Sequence, residues 1–247
     1  MTNTAVLEKP AAATREVVLP FTQKLLDGLF AVSLHSSDEP VLNHVEVTSR
    51  HFTATNRHTI GRYEHTTAAE WLHLHGTEFP AAGDASKNPD GVAVLVPRTV
   101  VNELVKLTAK KLNIVDLKLL HANQDLEHFP YTVTFTDMSV VVRRGMAGDI
   151  LWEHGYKRFS LNYPPAWKLM TVTEETLDEP VSFNPEYIAI FARGAAKVNE
   201  KNEPMTFRGT TRDGKQGPTL ITFGKDRDQA GEVIRFKGLV QPFKERR

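Results

Sequence analysis

With 247 residues, 40% of them hydrophobic and 24% charged, the chain can bury one large core or two modest ones and is neither disordered nor low in complexity. Thirty Lys and Arg balance thirty Asp and Glu, so any contact with nucleic acid must come from where positive charge sits and not from a net excess. No cysteine is present, which excludes disulfides, thiolate catalysis and cysteine-ligated zinc. No apolar run approaches the roughly 20 residues of a membrane helix, and "MTNTAVLEKPAAATRE" lacks the charged start and apolar core of a secretion signal. A cytoplasmic protein with no membrane contact is expected.

Residues 1–15 read as a flexible tail. From Glu16, "EVVLPFTQKLLDGLFAVSL" is an extended start, Pro20 as a first-turn residue, and a helical pattern of Phe21, Leu25, Leu29 and Val32. Near-alternating strand patterns follow in "LNHVEVT", "HFTATN", "TIGRYEH" and "AEWLHLH", and "FPAAGDASKNPDG" has the composition of a loop. A second round opens with "VAVLVPRTVVNELVKLTAKKLN". It is a strand, a proline and a helix with Val101, Leu104, Val105, Thr108 and Leu112 on one side. Strand candidates "VDLKLLH", "YTVTFTDMSVVVRR" and "YKRFSLNY" come after it, then the acidic "TEETLDEP" as a solvated connector. A third round starts at "VSFNPEYIAIFARGAAKV" and is completed by "PMTFRGT", "TLITFGK" and "VIRFKGLVQPF".

Three rounds of strand, proline, helix and strands imply an α+β fold of repeated half-domain units, each packing one helix face on antiparallel sheet. An unrelated α+β fold whose helices happen to follow prolines has the same pattern. The division expected is 16–172 as a domain of two half-units, 173–180 as the connector and 181–247 as a third half-unit.

Particular positions favour the repeat. "LPFTQKLLDGLFAVSLHSSDEPVLNHVEVTSRHFTATNRHTIG" resembles the first half of a domain of the bacterial DNA polymerase III β sliding clamps, with its helix and a strand ending in Thr-Asp-Gly-His-Arg. "VAVLVPRTVVNELVKL" looks like the opening of that domain's second half, and "FSLNYPPAWKLM" is similar to the segment that closes it. "VSFNPEYIAIFARGAAKV" resembles the helix of the family's last half-domain, and "GLVQPFKERR" its C-terminal strand. The resemblance runs from about Glu16 to Lys244 with the motifs in the family's order. It departs in number, since the family has six half-units per chain and this sequence has the pattern of three.

The resemblance implies a processivity factor. Such a factor is a non-enzymatic ring that encircles duplex DNA and receives peptides of polymerases and clamp loaders in a surface pocket. Carried over by motif, the pocket residues are Thr55, Arg57, His58, Ile60, Pro97, Val101, Val240, Pro242 and Phe243. Asn56 and Arg57 stand where the family turn has Asp-Gly, Thr59 where it has Arg, and Gln241 where Met or Leu is usual. A strand and turn that only pack a sheet edge is the alternative for Thr55 to Ile60.

For DNA, the helix faces opposite the apolar stripes offer Lys24, Arg98, Lys106, Lys110, Lys111, Arg193, Lys197 and Lys201. Phosphate contacts from such residues are indifferent to sequence, as sliding requires. Charged residues also occupy the solvent face of any helix.

The histidines of "HFTATNRHTIGRYEH", with His73 and His75 beyond, lack the carboxylate spacing of a recurrent metal site. No phosphate loop, HExxH or GxSxG is present. No metal, no cofactor and no catalysis are expected. A chain too short for a two-subunit ring of this family is expected to form a homo-oligomer of more subunits or to associate with another clamp. So compact and divergent a clamp suggests a viral source. A family ring has twelve half-units, which four copies of a three-unit chain would match. An adaptor that binds partners without closing a ring is the rival reading.

Overall fold

A computed structural model describes residues 14–66, 92–107, 131–160, 162–170, 172–175, 181–199, 203–212, 215–223 and 236–242. The strand candidates "AEWLHLH" and "VDLKLLH", the loop at 79–91, and Thr108 and Leu112 of the second helix lie outside these residues.

The first round is β1 (Glu16–Pro20), α1 (Gln23–Ser33), β2 (His44–Val47), β3 (His51–Thr55) and β4 (Thr59–Glu64). The second is β5 (Val94–Pro97), α2 (Arg98–Leu107), β6 (Tyr131–Thr136), β7 (Ser139–Arg144) and β8 (Ile150–Gly155). Then come the short α3 (Ala166–Leu169) and β9 (Thr173–Glu175). The third round is α4 (Pro185–Val198), β10 (Met205–Arg212), β11 (Lys215–Gln216), β12 (Thr219–Phe223) and β13 (Phe236–Val240).

The first two rounds interlock by exchanging their opening strands. β1 pairs with β6 of the second round, and β5 pairs with β2 of the first. One sheet therefore runs β1-β6-β7-β8, and the other contains β4-β3-β2-β5. The third round extends the second sheet, because β13 pairs with β4 and carries β12, β10 and β11 beyond it. Every named strand pairing is antiparallel.

The three long helices, α1, α2 and α4, share one side of the sheets. Thr22 caps α1, its hydroxyl accepting from the Leu25 amide at 3.1 Å, so Pro20 is not the first-turn residue its position suggests but the last residue of β1. Asn184 caps α4 in the same way, accepting from the Glu186 amide at 3.0 Å, with Pro185 at the first helical position. α1 packs on both α2 and α4. Its apolar pattern buries Leu25, Leu26, Leu29 and Val32 in a core shared with Phe52, Tyr63, Val101, Leu104, Phe135 and Phe191.

α1 and α4 approach closely. A Cβ on Gly194 would lie 3.3 Å from Ala31 Cβ and 2.9 Å from the Phe236 ring. A Cβ on Gly238 would lie 2.1 Å from the Ile60 carbonyl oxygen and 2.3 Å from the Phe191 ring. Only a residue without a side chain lets β13 come this near to β4 under the α4 aromatic ring.

Three sequence expectations fail locally. "YKRFSLNY" forms no strand in its described residues; the strand is the preceding "ILWEHG", where β8 pairs with β7. Val181 to Phe183 is not strand, because β10, the strand after α4, is engaged by β9 and β12 instead. The connector "TEETLDEP" opens as β9.

Candidate functional site

Two surfaces carry the residues singled out by sequence. The first is the helix side. Lys24 on α1, Lys106 on α2, and Arg193 and Lys197 on α4 are all exposed. The Lys197 ammonium lies 5.9 Å from the centre of the Phe30 ring, a cation over an aromatic face. Arg98 instead reaches Asp38 at 3.4 Å. Glu103, between the α2 cations, holds His154 of β8 at 2.9 Å. Lys110, Lys111 and Lys201 lie outside the described residues.

The second surface is the opposite, outer face of the long sheet, centred on β4 and β13. The β3–β4 hairpin pairs Thr55 with Ile60. Its turn is organised by Asn56, whose carbonyl oxygen accepts from the His58 amide at 3.0 Å, the Thr59 amide at 2.8 Å and the Thr59 hydroxyl at 3.1 Å. Arg57 takes the left-handed conformation, φ 76°, that favours glycine; its guanidinium pairs with Glu39 at 2.6 Å. His58 stacks on Tyr187 of α4, ring centres 5.2 Å apart, and its carbonyl accepts from the Gln241 amide at 2.8 Å. Thus Thr55, Arg57, His58, Ile60, Val240 and Pro242 are brought to one end of the β4–β13 ladder.

Three residues assigned to this pocket do not line the outer face. Pro97 lies on β5, separated from β4 by β2 and β3, about 14 Å at the usual strand spacing. Val101 is fully buried in the main core beneath α2. Val240 is also buried there, since strand alternation turns it toward the helices and gives the outer face to Leu239. Phe243 lies outside the described residues.

The sequence pattern of β12 and β13 gave no signal for what does share the outer face with Ile60. Leu220, Leu239 and Ile60 are register partners across β12, β13 and β4, and they form an apolar cluster apart from the main core, overlaid by Leu169, Met170 and Val172. Alternation along β12 and β13 carries this information once their pairing is known, and not before.

Two residues further along the ladder the face turns cationic. Arg62 is the register partner of Lys237, and Arg50 reaches Glu64 at 2.9 Å. Burial first, then the Arg62 charge, hold the Lys237 ammonium below the usual lysine range. Burial would raise the Glu64 carboxyl, but His51 and Arg50 outweigh it and hold it low. His51 is buried beside this carboxylate, 3.8 Å away. Among the described residues no three metal-ligating side chains converge, and His73 and His75 lie outside them. No helix of the described residues is long and apolar enough to cross a membrane.

No protein-family model matches the sequence, and no curated protein does. Solved structures do. A DNA polymerase sliding clamp from Pseudomonas aeruginosa matches with a TM-score of 0.50 at 10% identity, over 96% of this chain and 69% of that one. The same organism's clamp with a ligand gives 0.50 at 12%, over 98% and 69%. The clamp of Bacillus subtilis gives 0.49 at 13%, over 98% and 67%. The chain has an antiparallel α+β clamp fold. Its architecture is that of the bacterial DNA polymerase sliding clamps, of which it spans about two-thirds in length.

Proposed function

We propose that the protein is a non-enzymatic DNA clamp of the cytoplasm, a processivity factor that holds duplex DNA against its helix side and receives polymerase or clamp-loader peptides on its outer face. The observation that carries this reading is the segregation of the two surfaces. Three helices stand on one side of the sheets with Lys24, Lys106, Arg193 and Lys197 exposed, and the opposite side carries an apolar cluster beside a sheet ladder. Contacts of this kind to phosphates release counterions and read no sequence, which suits a protein that moves along DNA. Apolar side chains gathered on a sheet face suit the apolar anchors of an extended peptide.

Encirclement requires closure. Four copies supplying three helices each would reproduce the twelve of a β-type ring, through closed head-to-tail contacts. The test is retention on circular DNA. Changing Lys24, Lys106, Arg193 and Lys197 together to Glu should abolish retention and flatten its salt dependence, and unchanged retention would remove the DNA assignment. Native mass spectrometry reports closure. A monomer or lone dimer as the only species would replace the ring with the adaptor reading.

A further inference from the structure

The segment that crosses the outer face is itself a short apolar and acidic peptide. Residues 169–175 read LMTVTEE. Leu169, Met170 and Val172 pack on Ile60, Leu220 and Leu239, leaving those three only 9%, 6% and 2% exposed. Further on, Glu174 pairs with Arg208 at 2.5 Å, and its charge also acts on Lys237. One stretch of chain therefore matches both parts of the face in order, the apolar cluster and then the cations.

Upstream, the same segment is fixed firmly. The Phe159 ring packs at a tilt against His44, ring centres 4.2 Å apart, and the half-buried Tyr163 donates its hydroxyl to the His44 carbonyl at 3.3 Å. Downstream of Tyr163 the hold is lighter. α3 is a single turn of four residues, β9 offers three register pairs to β10, and Leu169 and Met170 stay half exposed. The Glu174–Arg208 pair is partly exposed on both sides and is screened accordingly. A stretch held by so few buried contacts opens more readily than β4 and β13 beneath it.

We propose that Leu169, Met170 and Val172 to Glu175 are a resident, displaceable occupant of this face, and that partner peptides of the same chemistry, three apolar residues followed by an acidic one, bind by displacing them. The proposal rests on the reading of the outer face as a docking surface. Displacement frees the cluster of Ile60, Leu220 and Leu239 for the partner's apolar side chains, the Arg208 and Lys237 cations for its carboxylate, and the β10 edge for its backbone. An incoming peptide therefore competes with a tethered copy of its own chemistry, which weakens its apparent affinity by the fraction of molecules with the face open.

The probe is a fluorescein-labelled peptide of residues 168–176, KLMTVTEET, titrated against the full chain by fluorescence anisotropy. The double variant Met170→Asp, Val172→Asp loosens the resident segment and leaves the sheet face intact; it should bind the probe about ten-fold more tightly or better. Leu239→Asp should abolish binding, and a probe with both Glu changed to Lys should bind weakly to every form. Equal affinity of the unaltered chain and the double variant overturns displacement but leaves the docking surface standing. No binding by either, with circular dichroism showing both folded, overturns both readings. If the double variant does not fold, hydrogen exchange of the unaltered chain decides. Amides of Thr173 to Glu175 should exchange faster with saturating probe, and unchanged exchange overturns the proposal.

Discussion

The first two rounds and the third are built from the same elements but held in different ways. Rounds one and two lend each other their opening strands, β1 to β6 and β5 to β2, so neither can leave without breaking two sheets. Among the described residues the third exchanges no strand with them: its sheet joins theirs along the β13–β4 ladder, and α4 packs on α1. Burial follows. Seven of the eleven residues of α1 are buried, but only Phe191, Gly194 and Ala195 of the fourteen in α4. A strand exchanged between units makes them one cooperative body, whereas a single added ladder leaves a unit that can open on its own.

The sharpest way to break this comparison is at the junction. Gly238→Val drives a side chain into the Ile60 carbonyl and the Phe191 ring, and should cost about 3 kcal/mol or more. Hydrogen exchange should then speed up in β12 and β13 while β6 and β7 stay protected. Equal loss everywhere would show that all three rounds unfold as one.

Of similar size, Phe191→Ala empties a site packed by His35, Phe236 and Gly238, and should cost about 3–5 kcal/mol of junction stability. Chemical denaturation should show an early transition absent from Phe135→Ala, whose ring lies in the β6 core.

The junction also has a pH dependence of its own. His35 sits fully buried against Phe191, its Nδ1 3.0 Å from the Thr59 hydroxyl, and burial lowers its pKa from 6.5 to about 3. The ring stays neutral in the fold but takes a proton in the unfolded chain below pH 6.5. Its stability is therefore complete above that value and falls by up to roughly 1.4 kcal/mol per pH unit toward pH 3. Thermal melts of a His35→Leu chain should lose this slope, and an unchanged slope would place the acid sensitivity elsewhere.

The smallest effect lies in the interlocked rounds. Asp137, at the β6–β7 turn, is buried and met by Arg15 at 2.7 Å and Arg158 at 3.2 Å. Burial would raise its carboxyl, but the Arg15 hydrogen bonds and charge, aided by Arg158, hold it below the usual range. Both arginines are more than a third exposed, so Arg15→Ala should cost only about 1 kcal/mol, measurable as a small fall in melting temperature without loss of β1 pairing.

Local chemistry determined what could be read along the chain. The apolar spacing of Leu25, Leu29 and Val32 marked α1, alternation marked β3, β4 and β12, and Asn184–Pro185 marked the start of α4, because these patterns act within one or two turns of backbone. The order of the motifs was enough to indicate the clamp fold. What joins to what is decided by contacts between residues far apart in sequence, and periodicity carries no record of them. The pairing of β13 with β4 chose Leu239 over Val240 for the outer face. The exchange of β5 carried Pro97 three strands away from Ile60. Leu169, Met170 and Val172, which read as the close of the first domain, became the cover of an apolar cluster, since only the folded sheet brings Ile60, Leu220 and Leu239 into one row.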